Sequence, residues 1–239
     1  MKMDFRLLKS LNWRNAAGQI LVTALGVVLA LAAADWNERR NRREFELTVL
    51  QEMHTSLVAD LAELEGGAQR FRDLDLALTQ LLALAEEKPP YDSATMDALF
   101  GAPISFRRVL LNSGGYESLK SLGIDLVRNS VLRRAITNVY EVEYRRLEDI
   151  AYIEENVLWE VARPYYLTHF RDLRFGLNAT PLDYQQVIND PEYQNIVQYK
   201  LAAMQGNWVP TFVSAMTRIN ALVTILEVEL KEAGVPLQQ

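Results

Sequence analysis

The chain has 239 residues, of which 49% are hydrophobic and 23% charged, with 31 acidic and 25 basic side chains. That is enough chain for one large or two small domains with a real core, and the charged fraction is that of folded proteins rather than disordered ones. There is no cysteine, and His54 and His169 are the two histidines. Disulfides, thiolate metal sites, iron–sulfur clusters and cysteine nucleophiles are therefore excluded, and a histidine-built metal centre nearly so.

The charge is divided unevenly along the chain. Residues 1–43 carry eight basic groups against Asp4, Asp35 and Glu38, a balance of +5, whereas the rest carries 17 basic and 28 acidic groups, a balance of −11. An acidic body lacks the concentrated cationic surface that phosphate contacts require, so nucleic acid is not an expected partner.

After a basic segment at 1–15, Ala16 to Ala34 form 19 residues without a charge, and Gln19 and Thr23 are their polar members. As a helix this run is ~28 Å long, close to the ~30 Å hydrocarbon core of a bilayer. Trp13 and Trp36 bracket it at the spacing of interfacial aromatic anchors. Residues 16–34 are thus expected to form one transmembrane helix, with the lipid bilayer as a partner. A cleaved secretory signal is the competing reading, with Ala32, Ala33 and Ala34 as the small-residue cleavage site. The length of the run and the charged helical continuation NERRNRREFE favour an uncleaved anchor. Lys and Arg are tied at four on either side, so the positive-inside rule gives no orientation. A short cytoplasmic N-terminus and a periplasmic body, in a bacterial inner membrane, is the working expectation. Gly26, Ala30 and Ala34 recur every four residues and could form a packing stripe, although an alanine-rich helix yields such spacing by chance.

Residues 35–239 read as a helical bundle. A hairpin is expected over 35–88. Its first arm carries Phe45, Val49, Leu50, Met53, Leu57, Leu61 and Leu64, Gly66 and Gly67 form its turn, and its second arm stops before Pro89 and Pro90. No turn residue separates the span from the first arm, so the two should be one stiff helix. Short helices are expected over 92–128, capped first by Asp92 or Ser93 and including one near 107–111. Asn129 or Ser130 should cap a long helix over 130–163 that Pro164 ends. Thr180-Pro181 and Asp190-Pro191 have the signature of helix starts, giving C-terminal helices over 181–233, with a kink or interruption near Gly206 caused by Pro210. No alternating strand pattern competes. The fold class is all-α: one N-terminal transmembrane helix continuing into an antiparallel helical bundle.

Two boxes carry a resemblance. The first is Asp35-Trp36-Asn37-Glu38 at the end of the apolar helix. The second is Tyr116, Glu117, Leu119, Lys120 and Gly123, followed by Leu126, Asn129, Leu132 and Arg133. Over Ile20 to Glu155 the chain resembles an uncharacterised bacterial family of single-pass membrane proteins. The resemblance implies a membrane anchor and an α-helical body, and it brings no reaction and no catalytic residues to transfer. Asp35 and the alanine-rich span depart from the Asn and Ile/Leu-rich pattern usual in that family.

The search for chemistry yields little. Neither histidine has the Glu three residues earlier that a di-iron bundle needs, since Gln51 and Tyr166 stand there. No metalloprotease, P-loop, nucleophile-elbow or dinucleotide motif occurs. Glu141, Glu143, Glu148, Asp149, Glu154 and Glu155 form a carboxylate-dense stretch, but interleaved arginines make a solvated ion-pair face the expectation. Tyr140, Tyr144, Tyr152, Trp159, Tyr165, Tyr166, Phe170 and Phe175 could line a ligand pocket or form core. With no catalytic residue, metal ligand or cofactor site identified, the chain reads as no enzyme. The expectation is a membrane-anchored interaction or structural module, self-associating as a homo-oligomer or docking on another membrane protein. A ligand-sensing bundle is the alternative, and an open aromatic-lined pocket holding polar groups would favour it.

Overall fold

The structure, a computed structural model, describes residues 13–236, with side chains described from Gly18 onward. Most of the basic segment 1–15, and the side chain of Trp13, lie outside the described residues. The fold is all-α apart from a two-stranded hairpin. The chain divides into two compact units, residues 1–48 and 49–239.

Helix α1 is a single element, Trp13–Glu87. In its first unit, every described side chain from Gly18 to Arg42 is exposed. The Thr23 hydroxyl donates to the Gln19 carbonyl at 2.8 Å, satisfying a hydroxyl in the apolar run within the helix itself. Beyond Ala34, Arg39 pairs with Asp35 at 2.7 Å, Arg42 with Glu38 at 2.9 Å, and Arg40 with Glu44 at 2.9 Å. These i, i+4 pairs carry the helix through its most charged stretch. Gly26 has nothing within 4 Å of its Cβ position, and Ala30 and Ala34 are exposed with it.

In the second unit, α1 does not turn at Gly66 and Gly67, and the hairpin expected over 35–88 is replaced by continuous helix to Glu87. A Cβ on Gly67 would lie 2.7 Å from Cε1 of Phe212. The glycine answers a close helix–helix approach rather than a turn, at a cost of about 1 kcal/mol of helix propensity. The helix stops where Lys88 takes φ 49° and Pro89 and Pro90 offer no N–H.

Helix α2 (Ser93–Gly101) starts at Asp92, whose side chain accepts from the Ala94 N–H, and passes into a 3₁₀ turn, Ala102–Ile104. Residues 107–111 form no helix. Next come α3 (Gly114–Leu122) and a 3₁₀ turn, Ile124–Leu126. Asn129 then caps α4 (Ser130–Asn138) by accepting from the Val131 and Leu132 N–H groups.

Helical structure continues without a break through a π turn at Val139–Glu143, α5 (Tyr144–Val157), a π turn at Leu158–Ala162 and α6 (Arg163–His169). The long helix therefore passes Pro164 instead of ending there. The same device recurs where α8 (Pro191–Ala203) reaches a π turn at Met204–Trp208 and continues as α9 (Val209–Glu232), past Pro210. In both places the proline follows the π turn by two residues. The wider turn draws the backbone away from the ring and spends its unmatched carbonyl where proline has no donor, so helical structure continues past the proline.

Strands β1 (Phe170–Arg174) and β2 (Asn178–Pro181) pair antiparallel with a bulge between Arg171 and Arg174, where Asp172 adopts φ 54°. Pro181 thus ends a strand. The following helix α7 (Tyr184–Asn189) starts at Asp183, whose carboxylate accepts from Gln186. Strand β2 lies so close to the end of α2 that a Cβ on Gly101 would sit 2.3 Å from the Asn178 nitrogen.

Contacts in the second unit fix its helix directions. Gln51 meets Pro236, His54 meets Glu227 and Asp75 meets Gln205, so α1 runs antiparallel to α8–α9. Asn129 meets Glu229, Glu143 meets Ser214 and Glu154 meets Lys200, so α4–α6 also run antiparallel to α8–α9. The core between these three rods is built from Leu50, Met53, Leu57 and Leu64 of α1, Leu132 and Ile136 of α4, and Ala215, Ile219, Leu222 and Leu226 of α9. Each set follows the i, i+3/i+4 spacing that places one stripe of a helix inward.

Candidate functional site

The Tyr116 box is spent on joining α3 to its neighbours. The Tyr116 ring is buried, stacks on Tyr140 with centroids 4.6 Å apart, and donates its hydroxyl to Glu141 at 2.9 Å. Lys120 lies over the Tyr116 ring at 5.3 Å and pairs with Glu141 at 3.3 Å and Glu117 at 3.5 Å. Burial and the Glu141 bond push the Tyr116 hydroxyl up to about 12, while the Tyr116 and Lys120 bonds hold Glu141 below the usual carboxylate range. Leu119 is core, Gly123 takes φ 97° past the end of α3, and Arg133 reaches back to Asp125 at 3.2 Å. At the N-terminus of α3, a Cβ on Gly115 would lie 2.8 Å from Cγ of Met53, so this glycine serves packing against α1.

Below this junction lies Asp60, 3% exposed. It accepts from the Asn112 N–H at 3.0 Å and from the Tyr144 hydroxyl. Burial raises its pKa in spite of those bonds. The neighbouring Tyr140 hydroxyl is buried without a hydrogen-bond partner.

The expected ion-pair face is only partly one. Arg145 pairs with Glu141 at 3.4 Å on the surface, but Glu143 and Glu154 turn inward, to Ser214 at 3.1 Å and to Lys200. Glu155 pairs with Arg108, which holds its carboxyl below the usual range. Among the described residues no group of three or more His, Asp or Glu could hold a metal ion. His54 is buried and meets Glu227 at 3.3 Å.

The aromatic residues divide. Tyr165, Tyr166 and Phe170 pack with Tyr193 and Phe100 in the core, whereas Tyr152, Trp159 and Phe175 are exposed. An open aromatic cleft does exist, but other residues build it. A cavity of about 450 Å³ lies between α1, the segment after α2 and the α8–α9 π turn, with Phe71, Phe106, Trp208 and Phe212 among its walls. Phe71 meets Trp208 and Phe212 edge to face, at 5.6 and 4.7 Å between centroids. The size is that of a small-molecule pocket.

Polar groups converge on the same cleft. Lys200 and Glu154 form an ion pair on its wall, with side chains 10% and 4% exposed, and Lys200 also donates to the Ser105 carbonyl at 3.0 Å. Both residues also line a second cavity of about 530 Å³ that includes Val161, Glu192 and Tyr199, so the pair separates two hollows. At the rim, Arg70 lies 3.2 Å and Arg107 3.8 Å from the same oxygen of Glu63. Asp73, also on the rim, accepts from Gln69 at 3.1 Å.

Sequence reasoning missed this cleft because its aromatics lie far apart in the chain. The one local signal was Trp208 two residues before Pro210, where the sequence leads one to expect a kink or break in the helix. No family model, curated protein or solved structure matches the chain.

Proposed function

We propose that the chain is a membrane-anchored helical module, held by residues 16–34 in a bacterial inner membrane, whose bundle self-associates or docks on another envelope protein. The observation that carries this reading is the apolar run of α1. Two helices of the structure are long and apolar enough to cross a membrane, Gly18–Glu87 and Pro191–Glu232. The apolar window of the first is 0% buried, while 33% of that of the second is buried. The second helix turns Phe212, Ala215, Ile219, Leu222, Leu226 and Leu230 into the core, which is the use of an amphipathic bundle helix. Among the described residues the first run has no such use, and a bilayer supplies one. A single crossing, a periplasmic body and kinship with the single-pass family belong to the same reading. Purification of the full chain from mild detergent with its copy number measured tests the interaction role. A defined oligomer or a stoichiometric membrane-protein partner is expected, and a monodisperse monomer without a partner would contradict it.

A second reading, a ligand-sensing bundle, is favoured by one specific observation: the open cleft combines four aromatic side chains with a buried ion pair and two rim arginines.

A further inference from the structure

We propose that the aromatic cleft binds a single-chain amphiphile bearing a carboxylate, with its chain among Phe71, Phe106, Trp208 and Phe212 and its head at Arg107 and Arg70. The inference rests on the ligand-sensing reading and goes beyond it by naming the ligand's chemistry.

The walls dictate an apolar body. Phe212 and Met204 are buried at the floor, Leu74 and Leu177 extend the sides, and the cavity opens to solvent instead of closing into core. Adding ligand carbon there removes apolar surface from water on both partners, which is the main source of affinity for such a site.

The rim dictates the head. Arg70 and Arg107 converge on one oxygen of Glu63, so the protein's own carboxylate already occupies the place between two guanidinium groups. Arg107 reaches that oxygen only at 3.8 Å, beyond hydrogen-bond distance, and its side chain is 64% exposed. Its planar fork makes no hydrogen bond to Glu63 at that distance, so a ligand carboxylate can compete with Glu63 for a two-pronged contact. Asp73 is the rim's opposing charge, and its bond from Gln69 occupies one carboxylate oxygen. A cationic head would instead have to approach two arginines. Deeper in, the Lys200 ammonium spends two of its three N–H donors on Glu154 and Ser105 and lines the same cavity. That leaves a donor for a polar group along the chain of the ligand.

The test uses the full chain in phosphatidylcholine nanodiscs and a dodecanoate carrying a diazirine in its tail, with photolabelled residues mapped by mass spectrometry. Labelling is expected on the peptides that hold Phe71 and Trp208–Phe212, competed by excess dodecanoate and not by dodecanol. Arg107→Gln, at an exposed position, is expected to raise the dodecanoate needed for competition about tenfold, the loss of a charge-assisted contact. Ala98→Phe, an exposed residue on the cleft wall, should reduce labelling by filling the space. If dodecanol competes as well as dodecanoate, the carboxylate proposal is overturned while the cleft remains a binding site. If no label enters the cleft, the ligand-sensing reading falls with it.

Discussion

Tyr144 donates its hydroxyl to Asp60, tying α5 to α1 through a carboxylate that is 3% exposed. The bond has two partners' worth of consequence, because the same carboxylate receives the backbone N–H of Asn112 at 3.0 Å and so fixes the segment that leads into α3. Burial raises the pKa of Asp60 above its ordinary 3.8 and also pushes that of Tyr144 upward. A carboxyl that titrates higher folded than unfolded binds more protons in the folded state across the interval between the two values. Stability therefore falls as pH rises from about 4 through the raised folded value. Glu141, held below its ordinary value chiefly by Tyr116, acts in the opposite sense: its contribution is present above the ordinary value and lost as pH falls.

Replacing Asp60 separates these effects. Asp60→Ala leaves a tyrosine hydroxyl and a backbone N–H without their acceptor, at about 1–3 kcal/mol each. Asp60→Asn keeps one acceptor oxygen and should cost less. Urea denaturation at several pH values is the measurement. The wild-type-minus-Asn difference in stability should shrink as pH rises from 4, and a pH-independent difference would show that Asp60 does not titrate in that range.

The close approaches at Gly67 and Gly101 predict an ordered pair of losses. At Gly67 a new Cβ meets the edge of the Phe212 ring, which can shift, whereas at Gly101 it meets the Asn178 backbone. Gly67→Ala gains about 1 kcal/mol of helix propensity against a strained contact, so its net cost should be about 1–2 kcal/mol. Gly101→Ala should cost more and loosen the β1–β2 hairpin. Melting temperatures of the two variants rank them, and equal losses would mean that β2 can move away from α2 freely.

The Lys200–Glu154 pair should behave as a buried couple. Lys200→Met strands Glu154 in the interior and should cost about 3–5 kcal/mol, while Lys200→Met with Glu154→Leu should recover much of that loss. Recovery will be incomplete because the Ser105 carbonyl also loses its donor. A double variant no better than the single would place the cost in Ser105 or in packing and not in the stranded charge.

Helix stripes and caps were legible in the sequence because they are local. Asp92, Asn129 and Asp190 each accept the N–H bonds that a capping side chain should accept. Where a close approach decides the backbone, the deciding partner lies far along the chain. Gly66-Gly67 reads as a turn until Phe212 is brought against it. Pro164 reads as a stop because a π turn cannot be seen in a spacing pattern, whereas the irregularity expected near Gly206 is the π turn Met204–Trp208. The hairpin Phe170–Pro181 was missed because its strands are short and bulged, which erases alternation. The cleft followed the same rule. Its four aromatics come from α1, from the segment after α2 and from the α8–α9 junction, and only tertiary packing assembles them.

The central claim is that the apolar run of α1 is held in a bilayer, and membrane retention of the full chain tests it most directly. Cells are lysed, membranes are washed in alkaline carbonate, and the protein is followed by mass spectrometry covering its N-terminal peptides. The account predicts that the chain stays in the membrane pellet with residues 16–34 intact, is released only by detergent, and becomes extractable when residues 1–43 are removed. Recovery of the intact chain in the soluble fraction without detergent would contradict it.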